Sequence, residues 1–163
     1  MGYSRTMSEE RAQPELAEQL HRINHRLRRR WGAQLAPHGM SPHYYRALAA
    51  IAHAPHADDG DGVSGLKLRE IAERLRIAPR SATEVIDGLE ERGLVQRVPH
   101  PKDRRATLVV ITETGRRLHE QLQAERQRSS EEFFAVLDEA DRGELGRLLG
   151  KLIEAHPRPE RPS

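Results

Sequence analysis

The first fifth of the chain carries an apolar stripe at helical spacing. Its members stand three or four residues apart: Leu16, Leu20, Ile23, Leu27 and Trp31. This spacing predicts an amphipathic helix within residues 11–40, with Pro14 in its first turn and residues 1–10 as a disordered tail. Because the other faces of the helix are polar, we expect the stripe to be buried against another element or another chain.

Three further helices are predicted before residue 93. A serine-proline pair at residues 41–42 is typical of a helix start, and this second helix is expected to end before an acidic, glycine-rich loop at residues 54–65. A short third helix has its apolar positions at Leu68, Ile71, Ala72 and Leu75. A turn at residues 76–78 follows, Pro79 opens a fourth helix, and Gly93 is expected to end it.

Two short β-rich runs come next. Leu94–Val98 and Thr107–Thr112 flank the polar, proline-rich stretch Pro99–Ala106, which predicts a hairpin with a charged tip. Two helices are expected within residues 113–156, and Gly115 is expected to be tolerated in the first turn of the earlier one. A proline-rich, disordered tail is expected at residues 157–163.

This order of elements predicts a mostly α fold with a small β-hairpin wing. Residues 41–112 form a winged helix-turn-helix in this interpretation, and the N-terminal helix and residues 113–156 are dimerisation helices on either side of it. Charged residues make up 32% of the 163 residues and aromatic residues only 4%. The core must therefore be thin and aliphatic, and we expect dimerisation to complete it.

Several function classes are excluded by what the sequence lacks. It contains no cysteine, so disulfides, thiolate metal sites and thiol redox sensing are excluded. No apolar run approaches the ~18–20 residues that span a bilayer. The N-terminus lacks the apolar segment of a signal peptide, so we expect a cytoplasmic protein.

Arg80, Ser81 and Thr83 stand in the first turns of the predicted fourth helix. The second helix of a helix-turn-helix enters the major groove of DNA with its N-terminal residues nearest the base edges. Arginine can pair with guanine O6 and N7, and the two hydroxyl groups can contact phosphate or a base. The alternative is two ordinary amphipathic helices joined by a turn, and the helix pair alone does not separate the two.

The cations at the hairpin tip favour DNA binding. Lys102, Arg104 and Arg105 lie on a loop that a two-stranded ribbon can project beyond the helices. Arginine in a narrow minor groove gains from the strong negative potential there. Asp103 is a poor choice for a loop that binds only phosphate, so we expect it to orient one arginine through a salt bridge. A tip that serves only solubility is the alternative interpretation.

These residues resemble the MarR family of transcription regulators. The resemblance is carried by the helix pair REIAERL and APRSATEVIDGLEERGLV and by the wing DRRATLVVIT, with its Asp-x-Arg element at Asp103 and Arg105. It covers roughly residues 41–120. The resemblance implies a homodimer on a pseudo-palindromic operator, usually a repressor, that small aromatic or anionic compounds often release. It also implies that Arg80, Ser81 and Thr83 are recognition-helix contacts and that Arg104 or Arg105 is the wing-tip arginine.

Other functions have weaker support. The chain has no glycine-rich phosphate loop, no His-Glu-x-x-His and no Gly-x-Ser-x-Gly, so we expect no enzymatic activity and no cofactor. A winged helix used only for protein contacts stays an alternative. His21 and His25 have an i, i+4 spacing that can bind zinc, which leaves a metal-responsive regulator open. No metal ligand is assigned, because no cysteine or carboxylate partner has diagnostic spacing. No effector-binding residue is assigned either, because Tyr44, Tyr45 and Trp31 could line an effector pocket or pack in the core.

Overall fold

The protein has six α-helices and three short strands in the residues that the structure, a computed structural model, describes. These residues are 4–54, 64–103 and 105–157, with side chains described from residue 15 onward. In chain order the helices and strands are α1 (Ser4–Leu35), α2 (Pro42–Ala52), β1 (Leu66–Lys67), α3 (Leu68–Leu75), α4 (Pro79–Glu91), β2 (Val95–Pro99), β3 (Thr107–Ile111), α5 (Glu113–Phe133) and α6 (Glu139–Ala155). The prediction of a mostly α fold with a small wing is confirmed.

The chain divides into two compact units. The first unit is Met1–Glu125 and the second is Arg126–Ser163. The division falls inside α5, whereas the sequence placed the boundary between regions at residue 112. Helix α5 therefore begins in the first unit and ends in the second. Within the described residues, no helix combines the length and apolar character that a bilayer crossing requires.

Helix α1 begins earlier than the sequence predicted. It starts at Ser4, so residues 4–10 are helical rather than a disordered tail, and residues 1–3 lie outside the described residues. The segment before Pro14 contains the good helix formers Glu9, Glu10, Ala12 and Gln13. Pro14 consequently stands within the helix instead of in its first turn.

Helices α2, α3 and α4 pack together around the aliphatic core of the first unit. Ser41 is the predicted N-cap of α2, and its hydroxyl accepts a hydrogen bond from the amide of Tyr44. The largest fully buried side chains are Leu35, Leu48, Ile51, Leu66, Ile71, Ile86, Leu89, Val95, Val109 and Leu122. The acidic, glycine-rich loop predicted at residues 54–65 lies mostly outside the described residues.

The predicted hairpin is confirmed by the pairing of β2 with β3, and β1 adds a third strand that the sequence did not predict. The strand order is β1-β3-β2 and both pairings are antiparallel. Leu66 of β1 is opposite Val109 of β3, and Arg97 of β2 is opposite Val109 on the other side. Strand β1 has only two residues, too few for an alternating pattern to show in the sequence.

The start of α5 is pressed against the end of the α4–β2 connection. The Thr112 hydroxyl donates to the Gly93 carbonyl at 2.7 Å and accepts from the Gly115 amide at 3.0 Å. A Cβ atom at Gly115 would lie 2.0 Å from the Leu94 carbonyl oxygen. Glycine is therefore required at this position, which corrects the expectation that it is merely tolerated there.

The second unit consists of the end of α5 and the whole of α6. Asp138 caps α6, because its carboxylate accepts a hydrogen bond from the Asp141 amide at 2.8 Å. Leu148, Leu152 and Ile153 of α6 are exposed. The tail predicted at residues 157–163 lies outside the described residues from 158 onward.

Candidate nucleic-acid interface

The N-terminus of α4 is open to solvent. Its N-cap residue, Ala78, has no side-chain oxygen to accept from the first-turn amides, and Pro79 occupies the first helical position. These N–H groups and the positive end of the helix dipole can therefore receive a phosphate. Arg80 stands beside them with 92% of its side chain exposed, and its Nε lies 3.5 Å from Glu84 Oε1.

Ser81 and Thr83 are less open than Arg80. Both are half-buried, and the Thr83 hydroxyl donates to the Pro79 carbonyl at 3.1 Å. The oxygen of this hydroxyl can still accept a hydrogen bond from a base. The three residues that the sequence singled out in α4 thus lie within its first two turns, with Arg80 the most accessible.

The wing tip is ordered by its own hydrogen bonds. Asp103 Oδ1 accepts from the backbone amide of Arg105 at 3.0 Å. His100 Nδ1 accepts from the amides of Lys102 and Asp103 at 3.2 and 3.3 Å. The side chains of Lys102, Asp103 and Arg105 are exposed, and Arg104 lies outside the described residues. Asp103 thus fixes the backbone beneath Arg105. The expected salt bridge to a wing arginine stays a prediction, because Arg104 lies outside the described residues.

The wing is attached to α4 by one arginine that the sequence analysis missed. Arg97 of β2 contacts Asp87 Oδ1 through its guanidinium at 2.6 Å and also pairs with the Glu90 carboxylate. Its backbone amide donates to Glu90 Oε1 at 2.9 Å. Partial burial acts to lower the pKa of Arg97, but the hydrogen bonds and charges of the two carboxylates outweigh it and raise the pKa. We name Arg97, Asp87 and Glu90 the wing clamp.

Two more cations flank the turn before α4. Arg74 and Arg76 are exposed, and Arg76 adopts the left-handed conformation with φ 57°. The Arg46 guanidinium donates to the Leu75 carbonyl at 3.0 Å and so caps the end of α3. A helix-turn-helix passes its first helix across the DNA backbone, where such cations can contact phosphate. The local excess of arginine in RLRIAPR, residues 74–80, was the signal that could have identified them.

Histidine clusters suited to a metal are absent from the described part of the chain. There, no three histidine or carboxylate side chains converge in a way that could hold an ion. His21 and His25 are exposed on α1. The described geometry thus adds no support to the metal-responsive alternative.

A family model described as MarR family matches residues 38–106, from the end of α1 to the wing tip. The winged helix-turn-helix of this chain matches the MarR family. The MarR match spans α2, both helices of the helix-turn-helix and β2, and so includes α4 and the wing clamp. This confirms the resemblance inferred from the helix pair and the wing.

Known proteins with similar sequences and structures include one that is named a MarR family protein. The HTH-type transcriptional repressor MdtR of Bacillus subtilis is 31% identical over 90 residues, which are 55% of this chain and 58% of the relative. A MarR family protein from Bacillus stearothermophilus has a TM-score of 0.72 at 25% identity, over 90% of this chain and 96% of that one. CouR from Rhodococcus jostii, solved bound to p-coumaroyl-CoA, has a TM-score of 0.63 at 25% identity, over 90% and 95%.

The match to the curated relatives is partial. The chain covers 58–63% of the length of three of them. These relatives are described as transcriptional regulators and not as enzymes. These descriptions agree with the expectation that the chain acts as a regulator and not as an enzyme.

Proposed function

We propose that the protein is a sequence-specific regulator of transcription that binds double-stranded DNA in the cytoplasm. The observation that carries the proposal is the wing clamp, because it holds a cationic loop beside a helix whose N-terminus is open and carries Arg80. In this arrangement Arg80, Ser81 and Thr83 face the major groove. Lys102, Arg104 and Arg105 reach the adjacent minor groove, and Asp103 orders the loop beneath them.

The proposed regulator acts as a homodimer. On α1 the side chains of Leu16, Leu20 and Ile23 are 59%, 45% and 43% exposed, although their helical spacing marks them as a packing surface. Helix α6 adds a second exposed apolar set, Leu148, Leu152 and Ile153. An exposed apolar stripe on a helix is typical of a protein–protein interface. Two copies would place their recognition helices about one DNA turn apart, ~34–36 Å.

Repression and release by a small effector are part of the same proposal. MdtR of Bacillus subtilis is named a repressor, and CouR was solved with p-coumaroyl-CoA, an aromatic and anionic ligand. We accordingly propose a repressor of a pseudo-palindromic operator that an aromatic or anionic compound releases. A winged helix used only for protein contacts is the competing function, but it has no need of three wing cations.

Selection of bound duplexes from a random pool tests the function. We expect the selected sequences to share a pseudo-palindrome with half-sites about 10–10.5 base pairs apart, or a multiple of that spacing. Repeating the selection with aromatic acids and their thioesters tests release.

Sedimentation of the free protein should show a dimer at micromolar concentration. Failure to bind any duplex at low salt would contradict the proposal and favour the protein-contact alternative.

Removing the wing cation Arg105 should reduce the salt dependence of DNA binding. Each phosphate contact releases about one counterion, so Arg105→Ala should lower the slope of log affinity against log salt by about one unit per lost contact. The slope is measured by fluorescence anisotropy between low and moderate salt. Arg128→Ala, at an exposed arginine of α5, is the control and should leave the slope unchanged. An unaltered slope for Arg105→Ala would place this side chain away from the DNA.

A further inference from the structure

A buried imidazole lies where α5 packs on α2. His119 is only 5% exposed. Its ring stacks on Tyr45 with the centroids 5.8 Å apart and the planes 19° apart, and it meets the edge of His53 at 5.1 Å. Tyr45 in turn contacts Trp31 of α1 at 4.8 Å in an edge arrangement. One titratable ring therefore lies at the junction of α5 with α2 and, through Tyr45, with α1.

The surroundings of His119 favour its neutral form. The groups that face it are His53 and the uncharged Tyr45 on α2, and Arg116 and Glu120 on α5. From α1, the aromatic cluster contains only Trp31. Burial lowers the pKa of His119, and the charges of His53 and Arg116 lower it further, against the single carboxylate of Glu120. His53 is itself held in place, since its Nδ1 lies 2.8 Å from the Ala49 carbonyl.

A change at His119 can reach the DNA-facing surface through the start of α5. His119 lies about two turns after Thr112, which is bonded to Gly93 at the end of α4. Gly115 lies directly on the Leu94 carbonyl, just before β2. The start of α5 thus contacts both the residue that follows α4, Gly93, and the residue that precedes β2, Leu94. A shift of α5 at His119 would displace them together.

We propose that His119 makes DNA binding sensitive to acid, with the neutral ring docking α5 onto α2 and the protonated ring releasing it. This inference rests on the proposed function. Protonation places a positive charge on a buried ring that is stacked on Tyr45, where water cannot solvate it fully. The DNA-binding unit then loosens around the wing and α4, and operator affinity falls.

The direction of the pH effect follows from linkage. Because the pKa of His119 is lower in the folded protein than its ordinary value of 6.5, the unfolded chain binds more protons in the window below that value. Stability therefore rises with pH through this window and falls as the solution becomes acidic. The contribution of neutral His119 to the stability of the fold is fully present above the ordinary imidazole pKa.

The test compares the full chain with His119→Phe, which keeps an aromatic ring in the stack but cannot take a proton. DNA affinity is measured at constant ionic strength at about pH 7.5 and pH 5.5, which bracket the ordinary imidazole pKa. We expect the wild type to lose several-fold more affinity on acidification than His119→Phe. The other histidines, His100 of the wing among them, are present in both proteins, so their effects cancel in the comparison. His21→Phe, at an exposed site on α1, should behave as the wild type.

A second readout does not depend on DNA. Acidification should lower the Tm of the wild type more than that of His119→Phe. The expected difference is about 2–4 °C for each kcal/mol by which acidification lowers the free energy of unfolding of the wild type more than that of the variant. His119→Gln replaces His119→Phe if the latter fails to fold. Equal pH responses of wild type and variant, in affinity and in Tm, would overturn the inference. Absence of duplex binding at about pH 7.5 in every variant would instead contradict the proposed function, and the Tm comparison would still decide on the switch.

Discussion

Gly115→Ala is expected to destabilise the first unit by about 3 kcal/mol, at the upper end of the cost of overpacking a tight site. The added methyl carbon would lie 2.0 Å from the Leu94 carbonyl oxygen and 2.9 Å from its carbonyl carbon. Both are backbone atoms, so no side chain can turn away to make room. The start of α5 must move, and the hydrogen bonds of Thr112 to Gly93 and of Gly115 to Thr112 are lost with it.

Urea denaturation followed by tryptophan fluorescence measures this loss. Trp31 is the single tryptophan of the chain and packs against the core of the first unit, so its signal reports on that unit. Gly32→Ala is the matched control, because no atom lies within 4 Å of a Cβ built there. In the interior of a helix this change should stabilise by about 0.5–1 kcal/mol. A Gly115→Ala protein within about 0.5 kcal/mol of wild type would show that the contact relaxes freely.

Arg80→Ala is expected to weaken binding to the selected operator by about tenfold to a hundredfold, the usual worth of an arginine paired with guanine. Arg80 is the most exposed of the three candidate residues of α4 and stands at its open N-terminus. Its one ion pair, with Glu84 at 3.5 Å, is exposed to solvent and easily given up for DNA. Affinity for unrelated duplexes should fall far less, so the preference between bases should relax at one position of each half-site.

Competition assays against duplexes with single base changes measure both effects. Arg117→Ala is the matched control: Arg117 is also an exposed helical arginine paired with a carboxylate one turn away, Glu113, at 2.9 Å, but it belongs to α5. We expect it to change operator affinity by less than about threefold. An equal loss of affinity by Arg80→Ala for every duplex would assign Arg80 to phosphate and not to a base.

Local signals in the sequence were sufficient for the helix-turn-helix. Ser41 before proline, Pro79 and Gly93 each fix a helix end through local interactions, and all three act as predicted. Gly93, for example, has the left-handed conformation with φ 67°. Apolar residues also recur at helical spacing along α4: Ala82, Ile86 and Leu89 are fully buried, and Val85 is half-buried. Helix ends and amphipathic faces are properties of neighbouring residues, so the pattern along the chain carries them.

Contacts between distant residues could not be predicted in the same way. Strand β1 depends on pairing of Leu66 with Val109, and the stack of Tyr45 on His119 joins residues of two different helices. Arg97 looked like an ordinary polar residue of a strand, although it clamps the wing to α4. Gly115 resembled a tolerated helical glycine because the Leu94 carbonyl that requires it is supplied by another element.

The wing clamp has a consequence for how such a regulator can change its target. Its carboxylates, Asp87 and Glu90, lie in the second half of α4, whereas Arg80, Ser81 and Thr83 lie in the first. Under the proposed function, exchanges among those three residues would alter which bases are read without moving the wing. New operator preferences can therefore arise one substitution at a time while the grip on the sugar-phosphate backbone is inherited intact.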